Sequence, residues 1–144
     1  MNLQHFPRFI ITTKDEERLN ALLYHSRRRH RRDYSPEVLA FLGEELDRAA
    51  FVEPDEVGPT IVTMNSRVWF RDEDSNTSRE VAIVYPGVEK IQEGKISILS
   101  PVGSALIGLS EGQTITWRLV GGPWRTLRVL KVTYQPEAHG RFER

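Results

Sequence analysis

The chain has 144 residues, no cysteine, a formal net charge of zero and 39% hydrophobic residues. That length suits one compact domain, or one domain with a small helical appendage. The missing thiols exclude a disulfide framework, a thiolate metal site and a cysteine nucleophile, and the balanced total speaks against broad coating of nucleic acid.

Met1 to Ile10 holds no long apolar run, so no signal peptide is expected. No segment approaches the roughly 20 apolar residues of a membrane helix, and a cytoplasmic location is the expectation. Thr13-Lys14-Asp15-Glu16 fits a capping box, with Thr13 as N-cap and Glu16 at N3. Leu19, Leu22 and Leu23 then form one apolar stripe. The spacing predicts a helix from Lys14 to Tyr24. His25 to Asp33 contains no apolar residue and reads as an exposed turn.

Ser35-Pro36 is a helix start, with serine as N-cap and proline at N1. Val38, Leu39, Leu42, Leu46 and Ala49 recur at three- and four-residue steps, predicting a second helix from Pro36 to Ala50. Glu44 and Arg48 are placed to pair on its outer face. A short connection implies that the two helices pack antiparallel. Glu53-Pro54-Asp55 with Gly58-Pro59 reads as a linker. The division expected is therefore 1–53, a helical hairpin with a basic tip, and 54–144, a sheet domain.

From Thr60 the apolar period changes to two. Strands are predicted at Ile61–Met64, Arg67–Arg71, Arg79–Tyr85, Ile96–Leu99, Thr114–Leu119 and Arg125–Tyr134. Gly121-Gly122-Pro123 joins the last two as a hairpin. Val68 and Phe70 share one face. Trp69, between Arg67 and Arg71, falls on the other, either packed on a neighbour or facing a partner. Trp117 alternates with threonines and looks like core. Between the strands, Ser100 or Gly103 starts a short helix carrying Ala105, Leu106 and Ile107. Gly108 is placed to end it in a left-handed conformation. Strands with one inserted helix give an α+β class.

Charge is distributed unevenly. Residues 1–33 hold eight Lys/Arg against four Asp/Glu, a net of +4; residues 34–58 hold one against seven, a net of −6; residues 59–144 hold eleven against nine, a net of +2. Arg27, Arg28, Arg29, Arg31 and Arg32 concentrate the first excess. They read either as a solvated turn or as a contact with nucleic-acid phosphates or an acidic protein surface. Tyr24 and Tyr34 only flank the run, which makes a base-stacking site weak. His25 and His30 do not share a helical face, so metal binding is not expected there. Ser66, Ser97 and Ser100 have no histidine near them in sequence, and no phosphate-binding glycine loop occurs. No cofactor and no metal are expected.

The passage Ile96 to Trp117 carries a long, irregular pattern: Ser100, Pro101, Gly103, Ala105, Leu106 and Gly108, preceded by Ile96-Ser97 and followed by Gly112. It resembles the C-terminal domain of the Gre transcript-cleavage factors. Val62-Thr-Met-Asn-Ser-Arg-Val68 and Tyr134-Gln-Pro-Glu-Ala138 are similar to the Rnk family, named as regulators of nucleoside diphosphate kinase and related to Gre. The likeness covers roughly residues 10 to 138. It implies an FKBP-like antiparallel sheet domain after a short two-helix hairpin. It also implies RNA polymerase as partner, docked near the rim of the secondary channel through Ser100, Pro101, Val102, Gly103 and Ser104. Taken without the resemblance, that loop reads as a strand-to-helix corner chosen for backbone shape.

In the Gre factors, acidic residues at the hairpin tip help hold a catalytic metal. Here the matching tip holds five arginines and one carboxylate, Asp33. A cationic tip repels Mg²⁺, which needs anionic oxygen ligands. The expectation is a transcription regulator without cleavage activity, not an enzyme. Its rivals are nucleic-acid binding through the arginine turn, an FKBP-like peptidyl-prolyl isomerase, and regulation of nucleotide metabolism, which the Rnk family name suggests although the sequence offers no nucleotide site of its own. The isomerase would need an aromatic-lined pocket, and Phe70, Tyr85, Trp117 and Tyr134 are scattered along the chain.

Overall fold

The structure, a computed structural model, describes residues 2–3, 9–29, 35–119 and 121–142, with the backbone alone at 2–3 and 29. The helices among them are α1 (Thr13–Arg29), α2 (Pro36–Arg48) and α3 (Pro101–Leu106). The strands are β1 (Asn2–Leu3), β2 (Ile10–Thr12), β3 (Ala50–Val52), β4 (Arg67–Asp72), β5 (Thr77–Val84), β6 (Lys95–Ser97), β7 (Thr114–Arg118) and β8 (Arg125–Tyr134). The fold is α+β, as the sequence implied.

α1 differs from its expectation at both ends. The N-cap is Thr12, one residue early: its buried hydroxyl accepts the Asp15 N–H at 3.1 Å. At the other end the helix continues through His25 to Arg29, where a turn was expected. Arginine is a good helix former, and Arg28 reaches back one turn to the Tyr24 hydroxyl at 2.8 Å. The remainder of the expected turn, 30–34, lies outside the described residues. Ser35 and Pro36 open α2 as expected. That helix stops at Arg48, not Ala50, because Ala50–Val52 pairs in parallel with β2, with Ile10 opposite Ala50. This small second sheet has no clear sequence signal. Arg48 bonds Glu45 at 2.6 Å.

The main sheet has the order β1-β7-β8-β4-β5-β6. Its neighbours are antiparallel except β5 and β6, which run parallel, Ile83 opposite Ile96. The wholly antiparallel sheet expected from the sequence is corrected at that edge. A long connection, with a 3₁₀ turn at Ile91–Glu93, carries the chain across before β6 begins. A tight turn would have reversed its direction. The strand expected at Ile61–Met64 is reduced to a single bridge between Ile61 and Ser110. Val62 and Met64 are nonetheless fully buried.

One apolar cluster joins all the layers. Val68, Phe70, Val81, Ile83, Ile115, Trp117, Leu127 and Val129 line the inner face of the sheet. Ala105 and Leu106 of α3 are packed into the same cluster, as are Leu19, Leu23, Phe41, Leu42 and Leu46 of the two long helices. Trp117 is core, as read from its alternation; Trp69 stands on the outer face, 41% exposed.

Candidate functional site

The Ser100 corner is held by its own side chains. Ser100 is extended (φ −76°, ψ 154°) and its hydroxyl accepts the Gly103 N–H at 3.1 Å, capping α3. The same hydroxyl donates to the Ser97 carbonyl at 2.7 Å. Ser104 is buried and donates its hydroxyl to the Pro101 carbonyl at 3.0 Å. Gly103 is buried too, and a Cβ there would lie 2.3 Å from the Ser97 oxygen. Only glycine fits that approach. Gly108 closes the element at φ +83°, the left-handed conformation expected of it. Of the five residues assigned to docking, Gly103 and Ser104 therefore build the corner, while Ser100, Pro101 and Val102 are half-buried and reach its surface. Val102 also leans on the core.

The basic end of α1 is split by the geometry. Arg27 reaches across to α2, donating to the Leu39 carbonyl at 3.5 Å while staying exposed. Its guanidinium lies over Gly43, where a Cβ would meet it at 2.7 Å. Arg28 folds back over the Tyr24 ring, 5.4 Å from its centroid. Arg29 contributes helical backbone, and Arg31 and Arg32 lie outside the described residues. Glu44 and Asp47 of α2 face Arg27 and Arg28 across a groove of about 440 Å³. Among the described residues no group of three His, Cys, Asp or Glu side chains is arranged to hold a metal ion.

A third constellation has no local sequence signal. The two segments that carry the Rnk resemblance, 62–68 and 134–138, meet beside the start of α1. The Thr63 hydroxyl donates to Glu137 Oε1 at 2.7 Å and lies 2.8 Å from the Ser66 hydroxyl. The Met64 N–H donates to Asp15 Oδ2 at 3.1 Å. The Gln135 amide donates to the Gly58 and Ile61 carbonyls, each at 2.8 Å. Asn65 takes a left-handed turn (φ 66°) to make the loop. Burial pushes the Asp15 carboxyl up to about 6, against the opposing pull of the Met64 N–H. Burial likewise raises the Tyr85 hydroxyl, with Asp15 adding and Arg18 opposing.

Beside this junction opens a cleft of about 880 Å³, lined by Arg18, Asn65, Arg67, Ala82, Val84, Val88, Lys95, Tyr134, His139 and Arg141. Of the four aromatics weighed for an isomerase pocket, Phe70 and Trp117 are in the core, and Tyr134 stacks on His139 at 5.1 Å. Of the four, Tyr134 alone lines this cleft.

Residues 57–134 match the family described as transcription elongation factor GreA/GreB, C-terminal. The chain belongs to that family. Among GreA/GreB relatives it is similar over almost its whole length to the regulator of nucleoside diphosphate kinase of Escherichia coli K12. The two are 39% identical over 137 residues, which cover 94% of this chain and 96% of that one. The Rnk resemblance read from 62–68 and 134–138 is thereby shown. A transcription elongation factor GreA from Thermodesulfovibrio yellowstonii is 36% identical over 75 residues, 52% of this chain and 48% of its own. A solved structure from Nitrosomonas europaea, described as a prokaryotic transcription elongation factor GreA/GreB, superposes with a TM-score of 0.67 at 42% identity. It covers 90% of this chain and all of that one. The GreA/GreB-like fold and a transcription-related regulatory role follow. These relatives are named as regulators or factors. Among the described residues no helix is long and apolar enough to cross a membrane.

Proposed function

We propose that this chain regulates transcription by docking on RNA polymerase near its secondary channel, without driving transcript cleavage. The observation that carries the reading is the rigid corner at Ser100–Ser104. It presents Pro101 with its backbone already fixed by two serine hydroxyls. A preorganised knob loses little conformational freedom on docking, and a few central residues can dominate an interface. The polymerase itself enters through the Gre resemblance.

The second half of the proposal rests on α1. After Glu17 the helix carries no carboxylate, and it ends in His-Ser-Arg-Arg-Arg. A second catalytic Mg²⁺ would find cations where it needs anionic oxygens. The FKBP-like character of the sheet, and the functional division into 1–53 and 54–144, belong to the same proposal. Arg28 and the cations beyond it are a secondary contact, to acidic polymerase surface or to phosphates. Arg27, exposed beside Arg28, belongs to the same contact.

Retention on immobilised core RNA polymerase tests the docking. Wild type should be retained and Pro101→Asp lost, with stalled complexes showing no added RNA shortening. No retention of wild type would sink the docking; accelerated RNA shortening would sink the non-catalytic half. Binding of bare DNA or RNA that collapses with moderate salt, at unchanged Pro101→Asp affinity, would favour the arginine end instead.

A further inference from the structure

The cleft between α1, β4, β6 and the C-terminal segment is not used by the docking corner, and its lining has a consistent chemistry. Among the described residues that line it, the ionisable nitrogen groups are Arg18, Arg67, Lys95, His139 and Arg141, and no carboxylate is present. They come from four separate stretches of chain, so their convergence is a product of the fold. Glu80 holds Arg67 at 3.6 Å and Glu93 holds Lys95 at 3.3 Å, but neither carboxylate lines the cavity. The Glu93 carbonyl accepts a further hydrogen bond from Arg67 at 3.1 Å. These contacts aim the cations while leaving donors for a ligand, since a guanidinium carries five.

The remaining walls differ. Ala82, Val84 and Val88 form an apolar side. The Tyr134 and His139 rings, stacked at 5.1 Å with planes 20° apart, form an aromatic one. The volume, about 880 Å³, falls in the range of small-molecule sites. Arg67, Arg141 and Lys95 favour an anion with several oxygens over a single carboxylate. The apolar and aromatic walls favour a flat ring attached to it.

We propose that this cleft binds a nucleotide carrying at least two phosphates. The phosphates meet Arg67, Lys95 and Arg141, and the base lies against Val84, Val88 and the Tyr134–His139 pair. This stands apart from the polymerase reading, because Pro101 is not part of the cleft.

Calorimetric titration of the full chain with ADP, pyrophosphate and adenosine tests it, with amide chemical shifts as a second readout. ADP should bind saturably in the micromolar to millimolar range, pyrophosphate at least fivefold more weakly, and adenosine not measurably. Lys95→Ala and Arg141→Ala should each weaken ADP at least fivefold, with shifts confined to residues around the cleft. Arg28→Ala and Pro101→Asp should leave it unchanged. Absence of saturable ADP binding, equal binding of pyrophosphate and ADP, or loss with Arg28→Ala in place of Arg141→Ala would each overturn the proposal.

Discussion

Asp15 and Met64 join the first helix to the sheet body by one hydrogen bond, 49 residues apart in sequence, from the Met64 N–H to Asp15 Oδ2 at 3.1 Å. The carboxyl is almost completely buried, and its pKa is raised from 3.8 to about 6. Burial is the main cause; Glu137 adds to it, while Met64, Thr12 and Arg18 oppose. Between these values the folded chain binds more protons than the unfolded one, so the Asp15 contribution to stability falls as pH rises through the window. The full cost of ionisation is about 3 kcal/mol at most, at about 1.4 kcal/mol per pH unit. Asp15→Asn keeps an oxygen for Met64 and removes the titration. Its urea midpoint, relative to wild type, should increase from about pH 4 to pH 7. A constant difference across that range would refute the assignment. Glu45, also raised by burial, acts equally in both proteins and cancels.

Gly103 should be intolerant for a different reason from the turn glycines. Its missing Cβ would meet backbone, the Ser97 oxygen at 2.3 Å and the Ile98 Cα at 3.2 Å. Gly103→Ala is expected to cost about 1–3 kcal/mol, the range for overpacking, or to displace the corner. Gly112 has open space around it but φ +87°. Gly112→Ala should cost about 1–2 kcal/mol through the left-handed conformation alone. Thermal unfolding of both, with a crystal structure of Gly103→Ala, separates steric from conformational strain.

Ser100→Ala removes the cap of α3, and a loss of about 1 kcal/mol is expected. The Ser97 carbonyl keeps the Ser100 N–H at 3.0 Å, so no buried acceptor is stranded. Ser100→Thr retains the hydroxyl and should recover most of the loss. Denaturant midpoints of the three proteins provide the check.

Thr63→Val is isosteric but takes the donor away from Glu137, which Thr63 contacts at 2.7 Å. The Ser66 hydroxyl also loses its Thr63 Oγ1 partner, though it still accepts the Thr63 N–H at 3.0 Å. An expected loss of about 1–3 kcal/mol follows from the unpaired groups. Thr63→Val combined with Glu137→Gln should show a coupling energy in a double-mutant cycle; strict additivity would mean the two residues act independently.

Local signals were legible where one segment specifies its own conformation. The Ser100 cap, the left-handed Gly108, Pro36 at N1, the β8 span and the burial of Trp117 all depend on nearby residues. The errors arose where distant segments decide. α2 ends early because Ala50–Val52 pairs with Ile10–Thr12, and no periodicity in three residues announces a parallel partner. The parallel direction of β6 depends on the path of the connection before it. The capping residue is Thr12, not Thr13: Thr12 ends β2, paired with Val52, and its hydroxyl accepts the Asp15 N–H. The basic cleft was illegible because its residues, from Arg18 to Arg141, are scattered over the whole chain.

Leu19, Leu23, Phe41 and Leu42 share their apolar cluster with Leu106, Ile107 and Trp117. The two long helices are thus rooted rather than hinged. α1, at 17 residues, spans about 24 Å from its first residue to its last, at 1.5 Å per residue. A protein that touches both the arginine end and the Pro101 corner must match a fixed span, so the molecule works as a gauge whose jaws cannot be reset without dismantling the interior.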